Sequence, residues 1–366
     1  MAFLIQKTLI YSIPLMIVAL AGAFSERSGI INLALEGIMI FGAFIGALCT
    51  RIMLQKGVFA PVIETVKAEG ALVATTTTTN WGQMQGFLLI VLCITAVCGA
   101  IFSLLLAFAA INLKADQTIG GTALNMLAPA IVLFFIRIIA QQNELLIGND
   151  AATLFMIKKD MVGIPATTNA NIFTNIFDGF FDKVYLTTYI AIFLFVILSI
   201  IMYKTRFGLR LRACGENPQA ADSLGINVTK MRYAGVSISG ALAGMGGFIF
   251  ALTTANGTAN GDVAGFGFLA LAVMIFGNWT PLTIAGAAFL FGFFKCIAAA
   301  YGSLDINGDG RKLLEELSNH PTWGKFLNAR FYRLIPYLIS LLVLAFTSKK
   351  SRAPKAEGIP YDKGAR

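Results

Sequence analysis

Long apolar runs separated by polar stretches make up most of this 366-residue chain. A run of about 20 apolar residues spans a bilayer as a helix, so the pattern predicts an all-α fold, a polytopic transmembrane helical bundle. We expect about nine spans, near residues 4–24, 29–50, 87–111, 119–140, 186–204, 231–253, 265–278, 281–300 and 334–347. The run at 265–278 is too short to cross a bilayer alone, so we expect it to be broken or buried against its neighbours.

One polar, basic island stands between two of these spans, at residues 208–232. Its centre is typical of a short helix, because Asn217 suits an N-cap, Pro218 the first turn and Gly225 the C-terminal end. The small residues Ala220, Ala221 and Gly225 would give that helix a smooth surface for close docking. The pattern favours a cytoplasmic helix that contacts a soluble partner. The alternative is an ordinary solvated loop whose charges only set the topology.

Composition and charge agree with a membrane protein and give it an orientation. The chain is 57% hydrophobic with a mean hydropathy of +0.75, far above the values of soluble proteins. Twelve of its 28 basic residues lie in 201–232 and 348–366, and the positive-inside rule places both segments in the cytoplasm. Since the net charge of +9 is concentrated there, it does not indicate nucleic-acid binding. We predict a transmembrane domain at 1–348 and a basic cytoplasmic tail at 349–366, with outward loops at 51–86, 141–185 and 301–333.

Motifs that would indicate an enzyme are missing from the sequence. No G-x-x-x-x-G-K-[ST] loop occurs, so the chain cannot bind ATP by that route. The single histidine, His320, lies in a predicted outward loop, and no catalytic triad or zinc protease motif can be assembled around it. The five cysteines form no C-x-x-C pair, which argues against a disulfide framework or a zinc site. Transport is therefore the expected class of function.

A second polar cluster interrupts the start of the second span and recurs at the start of the fourth. Its members in the second span lie three or four residues apart, hence on one face of a helix. Polar and ionisable residues at membrane depth usually face a cavity or a partner. We therefore predict that they line a substrate pathway, formed by Ser28, Asn32, Glu36, Thr122 and Asn125. The alternatives are an interfacial ion pair between Glu26 and Arg27, and asparagines that hold helices together.

The predicted outward loop 301–333 contains the ligand spacing of an EF-hand calcium loop. Lys312 occupies a position that is aliphatic in such loops, and the flanking sequences do not predict a pair of helices. Asp, Asn and Gly are also what an ordinary polar turn uses. We therefore predict no metal site, and the calcium pattern remains a weak one, carried by Asp305, Asn307, Asp309 and Glu316.

Several motifs together resemble one group of bacterial permeases. They are SERSGIIN at 25–32 with LEG at 35–37, GTALN at 121–125, and RACGENP at 212–218 followed by two alanines. The group comprises the membrane subunits of ATP-binding cassette (ABC) importers for simple sugars and nucleosides. The first motif is most similar to the nucleoside branch, and the similarity extends over about residues 5–300 and the last span.

The resemblance implies that the polar island is a coupling helix, which sits in a cleft of a cytoplasmic ABC ATPase. It assigns coupling to Arg212, Gly215, Glu216, Asn217, Pro218, Gln219, Ala220, Ala221 and Gly225. ATP and magnesium would bind to that partner, and this chain would hold no cofactor. An extracytoplasmic substrate-binding lipoprotein and a second homologous permease, or a second copy of this chain, would complete an importer in the bacterial cytoplasmic membrane.

The resemblance also implies a cargo and a mechanism. Nucleosides would cross by alternating access, and a monosaccharide such as ribose or galactose is the alternative for the same architecture. An ion-coupled secondary transporter would need a titrating acid within the membrane, for which only Glu36 and Glu26 are candidates. The chain departs from the general coupling motif at Gln219, where the motif has Glu. The polar stretches 71–80 and 166–175 and the insert at 303–330 also look peculiar to this chain.

Overall fold

The structure, a computed structural model, describes residues 2–56, 62–64, 76–78, 81–147, 155–157, 180, 184–300, 334, 338, 341 and 352–363. Its helices are α1 (Ala2–Glu26), α2 (Leu35–Gln55), α3 (Trp81–Ile111), α4 (Gln117–Ala140), α5 (Leu186–Lys204), α6 (Arg206–Glu216), α7 (Pro218–Ser223), α8 (Val228–Thr253), α9 (Phe266–Phe276) and α10 (Pro281–Ala300). Short strands form three antiparallel pairs: β1 (Val62–Glu64) with β2 (Thr76–Thr78), β3 (Leu145–Leu146) with β6 (Thr258–Ala259), and β4 (Met156–Ile157) with β5 (Val184–Tyr185).

The predicted helical bundle is confirmed. Within the described residues, seven helices are long and apolar enough to cross a membrane, namely α1 to α5, α8 and α10. Helix α9 has only 11 residues, in agreement with the expected short or broken span at 265–278. The predicted span 334–347 lies outside the described residues except for three isolated positions, as do most of the predicted outward loops. The total of nine spans therefore stays a prediction.

Helices α1 and α8 form the centre of the bundle. Helix α8 packs against α1, α2 and α3, and α1 also contacts α9 and α10. Most residues of α1 and α8 are buried, whereas less than a third of those of α4 and α5 are. Apolar side chains on exposed helices suit lipid or a second membrane subunit. The arrangement thus has two buried helices surrounded by helices with free apolar faces.

Glycines allow the central helices to approach backbone to backbone. A β-carbon at Gly99 of α3 would lie 2.9 Å from the Cα of Gly244 of α8, and one at Gly42 of α2 would lie 2.5 Å from the same atom. Small residues at such crossings are how membrane helices pack closely, since lipid provides no hydrophobic force between them. The Gly240-x3-Gly244 spacing therefore marks the face of α8 that contacts both α2 and α3.

The bundle has two distinct ends. At one, which we call the α7 end, lie α6, α7, the connection between α1 and α2, the turn between α9 and α10, and residues 352–363. The Tyr203 hydroxyl at the end of α5 donates to the carbonyl of Trp279 there, over 2.8 Å. At the opposite end, which we call the β3 end, the β3–β6 pair joins the chain after α4 to the chain after α8.

We predict that Gly99→Ala destabilises the protein and that Gly86→Ala, on the same helix, does not. A methyl group at Gly99 meets the backbone of α8, whereas one at Gly86 meets nothing within 4 Å. Overpacking at such a site costs about 1–3 kcal/mol, while alanine raises helix propensity at Gly86. Thermal unfolding of the purified, detergent-solubilised variants measures the difference. Equal melting temperatures for the two variants would contradict the close approach of α3 and α8.

Candidate coupling surface and polar junction

The polar island folds as the predicted short helix with its predicted ends. The side chain of Asn217 accepts a hydrogen bond from the backbone N–H of Ala220 over 3.0 Å, and Pro218 occupies the first turn of α7. Gly225 follows the helix with a φ of +81°, a conformation that glycine adopts without strain. These caps confirm what Asn217, Pro218 and Gly225 predicted, because cap preferences depend on local backbone geometry alone.

One residue of α7, Ala221, lies on the buried face of the helix and not on the exposed face where it was expected. Ala221 is only 2% exposed and packs with Cys214, Val228 and Tyr361. Its expected place on the smooth docking surface is therefore wrong, since its methyl group fills an internal contact. The solvent-facing side is formed by Gln219, Ala220, Gly225 and a residue that sequence reasoning missed, Leu224, which is 81% exposed.

Three of the predicted coupling residues attach α6 to the bundle. Gly215 is buried where a β-carbon would lie 2.9 Å from the carbonyl carbon of Arg27, and an ion pair joins Glu216 to Arg27 over 3.7 Å. The guanidinium of Arg212 lies 4.6 Å from the centre of the Tyr203 ring. The coupling segment thus has an anchored part, 212–216, and an exposed part at 217–220 and 224–225.

Two of the predicted pathway residues, Ser28 and Asn32, are fully buried and bonded within the chain. The Asn32 amide donates to the hydroxyl of Ser239 over 2.9 Å, and its oxygen accepts from the backbone N–H of Ala34 over 3.1 Å. The Ser28 hydroxyl donates to the carbonyl of Ser25 over 2.6 Å. In this conformation both side chains stabilise the irregular connection between α1 and α2 against α8.

Glu36 caps the short helix α9. One of its carboxylate oxygens accepts from the N–H of Gly265 over 3.0 Å, and the other accepts from Gly267 over 2.6 Å and Phe268 over 3.1 Å. The first N–H groups of a helix have no partner within it, and the positive end of the helix dipole favours a carboxylate. Lys295, whose ammonium donates to the carbonyl of Ala264 over 3.2 Å, adds a positive charge nearby.

Asn125 joins α4 to the same region, and Thr122 does not. The Asn125 oxygen accepts from the N–H of Gly37 over 2.8 Å, and its amide donates to the carbonyl of Leu33 over 2.7 Å. The exposed Thr122 hydroxyl bonds back to the carbonyl of Thr118 in its own helix over 2.9 Å. We call the set Asn32, Glu36, Asn125 and Ser239 the polar junction, because it connects α2, α4, α8 and α9. A part in the substrate pathway stays a prediction for all of the five residues named from the sequence, Ser28, Asn32, Glu36, Thr122 and Asn125.

An open cleft of about 920 Å³ lies at the β3 end. Polar side chains line much of it, among them Arg137, Glu144 and Asn260. Within the described residues, no group of three or more His, Cys, Asp or Glu could hold a metal ion. The calcium pattern at 305–316 lies outside the described residues.

We predict that Glu36→Leu prevents stable folding and that Glu36→Gln is milder. Leucine leaves the N–H groups of Gly265, Gly267 and Phe268 without their acceptor, and hydrogen bonds to a charged group contribute about 1.5–3 kcal/mol each. Glutamine keeps an acceptor oxygen and the shape of the side chain. Membrane accumulation and thermal unfolding measure the order. A Glu36→Leu variant as stable as the original chain would contradict the cap.

The chain is similar to known transporter subunits over its whole length. It is 37% identical to the guanosine ABC transporter permease protein NupQ of Bacillus subtilis, covering 100% of this chain and 98% of that protein. It is 35% identical to the nucleoside ABC transporter permease protein NupC of Lactococcus lactis, covering 98% and 96%. A second permease of that organism, NupB, is 33% identical over 25% of each chain. No solved structure matches.

A family pattern also matches residues 4–344, which is nearly the whole chain. It includes the seven membrane-length helices and both halves of the coupling segment. The relatives are permease subunits of transporters and not enzymes. The chain is a multi-pass membrane protein that belongs to the family of the branched-chain amino acid transport system permease component.

Proposed function

We propose that this chain is the membrane-spanning permease subunit of an ABC importer that carries nucleosides across a bacterial cytoplasmic membrane. The observation that carries the proposal is the exposed part of the coupling segment, a capped polar helix in an otherwise apolar chain, with Leu224 81% exposed beside Gly225. Full-length relatives named as guanosine and nucleoside permeases support the cargo.

In this proposal the chemistry of ATP belongs to a partner. A cytoplasmic ABC ATPase binds ATP and magnesium, receives α7 in a cleft and moves it during each cycle. An extracytoplasmic binding lipoprotein delivers the nucleoside at the β3 end, where the cleft with Arg137, Glu144 and Asn260 offers hydrogen-bonding groups. The helices then alternate between outward and inward openings. A transport route must hold its solute weakly, since a tight site would retain it.

The proposed orientation places the α7 end in the cytoplasm. The segments 201–232 and 348–366 hold six basic residues each and only four acidic residues between them. Such a bias favours the cytoplasmic side. Residues 352–363 and the coupling segment lie at the same end of the bundle, as a single orientation requires.

A second permease subunit would cover one of the exposed apolar faces. Helices α3 and α4 carry many of the exposed large apolar residues, among them Phe108, Met126 and Phe134, and lipid would cover the remainder. Lactococcus lactis has two nucleoside permeases, NupB and NupC, that are both similar to this chain. We therefore favour a pair of different permeases over two copies of this chain.

Uptake of labelled uridine, guanosine and ribose tests the cargo. Cells that carry the complete importer are expected to take up the nucleosides, with no competition by excess ribose. Collapsing the proton gradient at constant ATP should leave uptake intact, because Glu36 is engaged as a helix cap and the energy comes from ATP. Uptake of ribose instead of nucleosides would show that the cargo is a monosaccharide. Loss of uptake when the proton gradient collapses would favour an ion-coupled carrier.

We predict that Leu224→Asp weakens ATPase binding at least about tenfold, since burying a leucine side chain contributes about 1.5–3 kcal/mol. The matched control is Leu113→Asp, because Leu113 is also exposed, at 65%, and lies outside the coupling segment. Binding of the purified ATPase to inside-out vesicles measures the effect. Right-side-out vesicles should not bind it. Equal losses in the two variants would contradict the docking surface, and binding to right-side-out vesicles would reverse the orientation.

A further inference from the structure

Residues 352–363 form an irregular segment, with a turn at 355–358, that lies across the α7 end of the bundle, and we call it the C-terminal strap. Its sequence suggested only a basic tail, but its residues pack against the chain in a defined way. Ala356 is 7% exposed, and Pro354 is also buried. The strap therefore forms part of the folded protein.

The strap is attached to both helices of the coupling segment. The backbone N–H of Ala356 donates to the carbonyl of Gly215 in α6 over 2.9 Å. Tyr361 packs against the small apolar cluster that contains Ala221 of α7. Its hydroxyl has the carboxylate of Asp222, also in α7, as a hydrogen-bonding neighbour, and burial together with this carboxylate raises the pKa of Tyr361.

The same segment is attached to the connection between α1 and α2. The backbone N–H of Gly358 donates to the carbonyl of Gly29 over 3.2 Å. The neighbouring Glu357 lies beside Glu26 at the end of α1, and burial raises the pKa of Glu357 although Arg27 lies nearby. Glu26 in turn accepts a hydrogen bond from the indole N–H of Trp279 over 2.5 Å. Trp279 belongs to the turn between α9 and α10, so the chain of contacts continues to α9.

Arg232, near the start of α8, binds the strap from the side of the bundle. Its side chain is 1% exposed, and its Nη1 donates to the carbonyl of Ile359 over 3.1 Å. It also lines the left-handed turn at Gly29, where a β-carbon would lie 3.0 Å from Nη2. Two outer contacts complete the attachment: Lys114 pairs with Asp362 over 2.8 Å, and the N–H of Arg352 donates to Asn278 over 2.9 Å.

Direct contact between the coupling segment and the α1–α2 connection is made by α6 and by Arg232. Gly215 packs on the backbone of Arg27 and Gly29, and Arg232 lies against Gly29. The Glu216–Arg27 ion pair adds little, since its Glu216 side chain is 47% exposed. Exposed ion pairs contribute about 0–1 kcal/mol. Helix α7 has two routes to the connection: through α6, which precedes it directly, and through Tyr361 and Gly358 of the strap.

We propose that the C-terminal strap transmits the movement of α7 to the α1–α2 connection and the turn before α10. The proposal rests on the proposed function, because it takes an ATPase to be the source of that movement. The strap acts by position: it contacts the coupling segment on one side and the ends of α1 and α9 on the other. Without it, an ATPase would still bind α7, but only α6 and Arg232 would carry its movement to the α1–α2 connection, and less solute would be moved per ATP.

The decisive variants are a truncation after residue 351 and Tyr361→Phe, with Lys355→Ala as the control. Tyr361→Phe keeps the ring and removes the hydroxyl that faces Asp222, and Lys355 is an exposed strap residue. The complete importer is reconstituted in liposomes, and uridine imported per ATP hydrolysed is measured. One hydrogen bond of about 1 kcal/mol corresponds to about a fivefold change. We expect a loss of about fivefold for Tyr361→Phe, a larger loss for the truncation and no change for Lys355→Ala, with ATPase binding kept within about twofold.

A second measurement does not depend on the cargo. Hydrogen exchange of residues 27–34 is followed in the permease as purified ATPase is added. Binding should alter exchange there in the original chain and not in the truncated chain. Three results for the truncated chain would each overturn the proposal: an exchange response equal to that of the original chain, an unchanged ratio of uridine to ATP, or loss of ATPase binding. If the truncated chain does not assemble, Tyr361→Phe decides by both measurements. Failure of the intact importer to carry uridine would instead count against the proposed function.

Discussion

The cap that Glu36 places on α9 is the interaction on which the centre of this protein depends. Helix α9 begins inside the bundle, so its first N–H groups cannot turn to water and need acceptors from the chain itself. Glu36 satisfies two of them, together with the N–H of the N-cap residue Gly265, with one carboxylate from the first turn of α2. Asn125 and Asn32 do the same for the backbone around Gly37 and Ala34. The polar junction thereby fixes where α2, α4, α8 and α9 meet, and it makes irregular backbone tolerable at that depth.

The α7 end depends on a different balance, between attachment and exposure. Gly215 and Ala221 are small because the backbone of Arg27 and the side chains around Cys214 leave no room for larger groups. The same anchoring holds Leu224 out in solvent, where an isolated leucine gains nothing for the fold. A short helix that is rigidly seated on one side and apolar at its exposed tip is suited to transmit force, since a loosely held helix would absorb the displacement.

The sequence predicts the helices and the caps well, because both depend on local patterns. Seven apolar runs correspond to membrane-length helices, and Asn217, Pro218 and Gly225 mark the ends of α7 as expected. It does not reveal the partner of a buried polar residue. A glutamate at membrane depth bonds a solute or a backbone N–H group with the same atoms, so only the position of Gly267 relative to Glu36 separates the two roles. The sequence also could not predict that the Ala221 side chain lies on the buried face of α7, since six residues are too few to establish a helical face.

The C-terminal strap shows the same limit most clearly. Its bonds through Ala356 and Gly358 use backbone groups, which leave no trace in the side-chain pattern. Arg232 resembles a charge that only sets topology, yet it is buried, and its Nε and Nη2 have no hydrogen-bond partner among the described residues. A buried guanidinium that is only partly bonded is costly. Its hydrogen bond to the carbonyl of Ile359 offsets part of that cost, so the buried charge of Arg232 favours the attached position of the strap.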